Sequence, residues 1–280
     1  MPDDPLRTLE RSRDADKLVA AALAQARSSD ASNHAQLLKG MQSARFYERL
    51  DSNDAYDDYP ETQLMIAMIL DALQENPAPA AATTLVALAQ QRAFLKEPVR
   101  IELLINSTAH IKPPPPDLVA FWDKYFQPDD GFTPLTRVAL LENGTTEAME
   151  LLERKLADPA HREPDRVFWM RADILQHRND VELLKSCHHM LGGRGRGKGG
   201  GAELPDDLKP KLVEALFDHR PDEWYHPEGK AIPPPREEAS KDARDLLREI
   251  GEHALKKVEL SDELNKRVET VLEEISQGKP

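Results

Sequence analysis

The chain holds one cysteine, Cys187, among 280 residues. An intrachain disulfide is therefore excluded, which suits a reducing compartment and makes the cytoplasm the expected location. Long apolar runs are also missing. The longest, Leu64 to Leu70, is far short of the roughly 20 residues that a spanning helix needs, so no membrane association is expected. The start, Met1-Pro2-Asp3-Asp4, has no basic region followed by an apolar stretch, so no signal peptide is expected. Alternating β-branched runs between turn signals are absent, which removes strands and leaves an all-α class. Positive charge is in deficit: 37 Lys and Arg against 50 Asp and Glu, a net charge of −13. A body this acidic repels nucleic acid and anionic membranes, so it favours solubility and a protein partner, a basic one included.

What is present is periodic. Leu85, Leu118, Leu151 and Leu184 are each 33 residues apart, and each lies in a stretch with helical apolar spacing. The clearest is Leu118, Phe121, Trp122 and Tyr125, the i, i+3, i+4, i+7 stripe of an amphipathic helix. Between these helices, Pro98, Pro134, Pro164 and Pro210 mark the starts of second ones, because proline in a first turn gives up no intrahelical bond. From leucine to proline the offsets are 13, 16, 13 and 26. The last is 13 too long, and the Gly-rich stretch from Gly192 to Leu204 is 13 residues, so it reads as an insertion into a regular unit. Two helices per unit at this period predict an α-solenoid of antiparallel pairs, each unable to bury its apolar face alone.

The run from Leu85 to Ile111, with Glu97-Pro98-Val99-Arg100 opening its second helix, resembles a HEAT or HEAT-like repeat. Arg137-Val138 and Arg166-Val167 open later second helices with the two residues reversed, and the resemblance extends over 60–220. The period also suits tetratricopeptide repeats, but no unit carries their Trp, Leu-Gly and Tyr pattern. The HEAT-like resemblance implies a solenoid that binds proteins, and it implies no catalytic residues.

Four regions follow from this reading. Residues 1–60 hold N-terminal helices, at 15–27 and 34–50, and an acidic loop. Residues 61–220 are the repeat array with the insertion at 192–204, 221–236 are a Pro-rich linker, and 237–280 are a C-terminal helical hairpin with Ser261 as an N-cap. The helix at 61–75 is apolar nearly all round, which predicts an inner helix buried on every side.

Several constellations are candidates for chemistry. The acidic loop from Asp51 to Glu61 fails the calcium-loop spacing, with Tyr56 and Thr62 where glycine and glutamate are required. The helix at 118–126 has more aromatic side chains than one buried face needs, so Trp122, Tyr125 and Phe126 are a candidate partner-binding surface, with core packing as the alternative. Trp169, Arg171 and Asp173 on adjacent turns are similar to the aromatic and acidic residues that HEAT-like DNA glycosylases place in a concave groove, although those grooves are basic. In Cys187-His188-His189, consecutive helical residues point about 100° apart and cannot converge on one ion. Gly192 to Lys198 nearly matches a P-loop, but Gly199 stands where Ser or Thr should, and a helix precedes it instead of a strand. Arg194, Arg196 and Lys198, spaced by glycine, remain a candidate anion-binding loop.

The function expected is a non-catalytic protein-binding scaffold or adaptor, with no catalytic residue, metal or cofactor. Phosphate or nucleic-acid binding through the Gly/Arg-rich loop and a HEAT-like DNA glycosylase are the alternatives.

Overall fold

The computed structural model describes residues 14–51, 61–174, 177–193, 202–217 and 239–277. Among these residues there are fourteen α-helices and no strand. None of the helices is long and apolar enough to cross a membrane. The chain divides into two compact units, one of 1–125 with 134–139, the other of 126–133 with 140–280.

In the first unit, α1 (Ala15–Ala26), α2 (Ala31–Met41), α3 (Ala44–Asp51), α4 (Glu61–Gln74), α5 (Pro79–Leu88), α6 (Pro98–Thr108) and α7 (Pro116–Tyr125) follow in order. Asp14 and Asp30 start α1 and α2 by accepting from the amides of Lys17 and Ser32, groups that the helix itself leaves unpaired. α1 packs on α2 and α4, α2 on α5, and α4 on both α5 and α6. Most neighbours in sequence are thus neighbours in space, and the contacts of α1 with α4, α2 with α5 and α4 with α6 join helices two or three apart.

Two expectations are corrected here. The helix expected at 34–50 is two helices, α2 and α3, separated at Gln42-Ser43. Tyr47 explains the break: its hydroxyl donates 2.6 Å back to the Met41 carbonyl at the end of α2, so α3 folds against its predecessor. The Tyr47 ring carries the buried Arg100 guanidinium 4.0 Å from its centroid and meets Phe94 edge-on. The second correction concerns α4. Ile66, Ile69, Leu70 and Leu73 are buried, but Leu64 is 57% exposed and Met68 43%. Packing by α1, α3, α5 and α6 covers only part of its circumference, so Leu64 and Met68 are left in water.

The helix α8 (Thr133–Asn143) ends at Gly144, whose φ of +61° is the left-handed conformation that glycine adopts without steric penalty. The second unit then builds α9 (Thr146–Ala157), α10 (Glu163–Trp169) with a π-helical turn at Met170–Ile174, α11 (Val181–Met190), α12 (Lys209–Phe217), α13 (Lys241–Lys257) and α14 (Asp262–Ser276). Thr145, Asp180, Ser240 and Ser261 cap α9, α11, α13 and α14. α11 packs between α9 and α13, and α14 lies on α13 and α12.

The four period-marking leucines fall on α5, α7, α9 and α11, and all four are fully buried. The four marker prolines fall in the first turns of α6, α8, α10 and α12. Each buried leucine is worth about 1.5–3 kcal/mol of apolar transfer. The 33-residue period therefore marks buried positions on alternating helices. Residues 52–60 of the acidic loop and the linker at 221–236 lie outside the described residues.

Candidate functional site

The aromatic helix is core. Trp122 and Phe126 are 0% exposed and Tyr125 is 7% exposed, which corrects the expectation of a contact surface there. In the first unit, the Trp122 indole N–H donates to Thr108 Oγ1 at 3.3 Å, and Tyr125 stacks edge-on against Phe121 with centroids 5.1 Å apart. In the second, Phe126 meets His161 and Trp169 at 5.6 and 5.5 Å, and those two rings meet at 5.0 Å. The apparent excess of aromatics arises because neighbouring positions serve two separate packing clusters. Sequence spacing showed more rings than one buried face needs but not that the surplus is buried in a second cluster.

The glycosylase-like trio is also engaged within the protein. Trp169 is buried in the ring cluster, Arg171 forms a 2.9 Å ion pair with Glu214 of α12, and Asp173 is buried in the π-helical turn. His161, in the same cluster, is 3% exposed. Burial holds its pKa below the usual imidazole value, with nearby Lys155 and Arg166 adding to the effect against Asp158 and Asp165. A neutral imidazole fits this setting.

The Gly/Arg-rich insertion leaves the end of α11 and returns to it. The Gly192 and Gly193 amides donate to the His189 and His188 carbonyls, and the Leu204 amide donates to the Met190 carbonyl. Both ends of the insertion are thus pinned to one helix terminus. Gly192 has a φ of +84°, and Gly193 presses so closely on His188 that an added Cβ would lie 2.1 Å from its Cδ2. Arg194, Arg196 and Lys198 lie outside the described residues.

A cavity of about 650 Å³ opens at this base, lined by His188, Gly192, Gly193, Glu249, Glu252, His253 and Lys256. The His188 and His253 rings meet edge-to-face with centroids 5.3 Å apart. His253 Nε2 lies 3.1 Å from the Leu191 carbonyl, to which it donates. Burial lowers the His188 pKa, the neighbouring His253 lowers it further, and Glu249 opposes both. About 100° round α11 from His188, His189 Nδ1 lies 2.8 Å from Glu153 Oε2, a carboxylate 1% exposed. Cys187 is buried. Among the described residues no group of three or more His, Cys, Asp or Glu side chains is placed to hold a metal ion.

The feature that the sequence reading missed is the α4 stripe. Leu64 and Met68 are one helical turn apart on an exposed face, flanked by the partly exposed Met65 and Ala67. Nothing in the apolar run distinguishes these positions from Ile66 or Leu70, which are buried. No family model, curated protein or solved structure matches the chain.

Proposed function

We propose that this chain is a non-catalytic protein-binding scaffold built of HEAT-like helix pairs, and that it contacts its partner through the exposed apolar stripe of α4. The observation that carries this reading is the pairing of Leu64 and Met68, large apolar side chains one turn apart and in water. Two apolar side chains at i and i+4 are an anchor pair of the kind that a partner's groove buries. Three things support the scaffold reading: the packing of α1 through α6 in neighbouring pairs, the alternation of buried leucines and proline-started helices, and the resemblance in the run from Leu85 to Ile111. The net charge of −13 favours a partner that is basic around its apolar contact.

The test compares the wild-type chain with a Leu64→Ser, Met68→Ser double variant in a nuclease-treated pull-down from native lysate. Both substitutions replace exposed side chains, so stability should stay within about 0.5 kcal/mol per site. A stoichiometric protein partner retained by the wild type and lost by the variant is expected. Equal capture by both, or no protein partner for either, would refute the assignment of the stripe.

A further inference from the structure

The adjacent histidines His188 and His189 face opposite neighbours. His188 meets another imidazole, His253 of α13, whereas His189 meets a buried carboxylate, Glu153 of α9. A proton therefore has opposite consequences on the two sides of α11. On His189 it converts a hydrogen bond into an ion pair with a carboxylate that has almost no access to water. On both His188 and His253 it places two cations with ring centroids 5.3 Å apart.

We propose that α11 is a proton-operated latch, which on acidification releases its grip on α13 through His188 and His253 while tightening on α9 through His189 and Glu153. The Nε2 edge of His188 is covered by Gly193, so a charge on that edge is better hydrated when the Gly192-Gly193 turn lifts away. A proton on His253 keeps its bond to the Leu191 carbonyl, so the conflict arises only when both rings are charged. From α13, Glu249 favours the charged His188, whereas Glu252 and Lys256 form a 3.9 Å pair with each other. Beyond Gly192, Glu203 is paired with Lys209. From α9, Glu153 is directed at His189. Burial and the neighbouring imidazoles outweigh Glu249, so His188 takes up the proton only below its ordinary value of 6.5.

The experiment is hydrogen–deuterium exchange of the full chain at pH 7.5 and pH 5.5, with rates corrected for intrinsic chemistry, in the wild type and in His188→Gln and His253→Gln variants. Glutamine cannot take up the proton, and at position 253 its amide can still donate to the Leu191 carbonyl. Peptides from Lys241–Lys257 should exchange faster at the lower pH. Peptides from Thr146–Ala157 should hold or gain protection, and either glutamine variant should suppress the acid response of α13. Three outcomes would overturn the latch: α13 equally protected at both pH values, α9 and α13 loosening together as in global unfolding, or acid loosening that persists undiminished in both variants.

Discussion

Replacing Trp122 with alanine separates a core role from a surface role more sharply than any other single change. Its side chain is 0% exposed, and its indole N–H is bonded to Thr108 Oγ1. Truncating a buried tryptophan costs about 3–5 kcal/mol in lost transfer energy and residual cavity. The lost hydrogen bond adds little, because the Thr108 hydroxyl still reaches the Leu104 and Ile105 carbonyls at 2.8 and 3.1 Å, so no buried donor is orphaned. A value of about 4 kcal/mol is expected, and with a urea m-value of about 2 kcal/mol/M the midpoint should fall by roughly 2 M. Trp122→Phe retains much of the ring and leaves no unpaired donor, so it should lose about 1–2 kcal/mol. The assay is urea unfolding followed by far-UV circular dichroism, fitted as two transitions because the chain forms two compact units. Were Trp122 a surface anchor, alanine would change stability by no more than about 0.5 kcal/mol. A midpoint unchanged in Trp122→Ala would refute the packing described for α7.

Two further perturbations probe the second unit. His161 is buried with its pKa held below the ordinary value of 6.5, so the fold favours its neutral form. Its contribution is fully present above pH 6.5 and is lost as pH falls through 6.5 toward the lower folded value. His161→Phe, which keeps the edge-on ring packing without a titratable group, should show a smaller drop in melting temperature between pH 7.5 and 5.5 than the wild type; an equal drop would contradict this origin. At Gly251, in the middle of α13, a Cβ would lie 2.9 Å from Leu272 Cδ2 and 3.3 Å from Phe217 Cζ. Alanine gains about 1 kcal/mol of helix propensity against that crowding, so Gly251→Ala should be near neutral and Gly251→Val destabilised by about 1–3 kcal/mol. Equal thermal melts for the two variants would show that α12, α13 and α14 do not converge this closely.

The contrast between Leu64 and Ile66 marks where sequence reasoning ends. Both belong to one apolar run, yet one is exposed and the other is buried. Hydropathy sets what a side chain prefers, and only the neighbouring helices determine whether the preference is met. Trp122 and Phe126 teach the converse lesson. Their density suggested an outward face, but rings four residues apart fill different clusters. His188 and His189 were legible as a pair unable to share a metal ion, because that follows from the 100° step of the helix. That one faces a histidine and the other a glutamate was not legible, since His253 and Glu153 are remote in sequence.

The sequence by itself determined the helical class, the alternation of leucine-marked and proline-started helices, the caps such as Ser261, and the place of the insertion after α11. Each of these depends on local signals: apolar spacing, a fixed φ at proline, a side-chain oxygen near the first unpaired amides. The tertiary structure alone decided that α4 exposes an apolar stripe, that the aromatic helix is core, that Tyr47 folds α3 back on α2, and that two imidazoles meet between α11 and α13. The physical reason is that these features arise from contacts between distant segments, and a pattern of 3.6 residues per turn specifies which positions share a face but not what that face will meet.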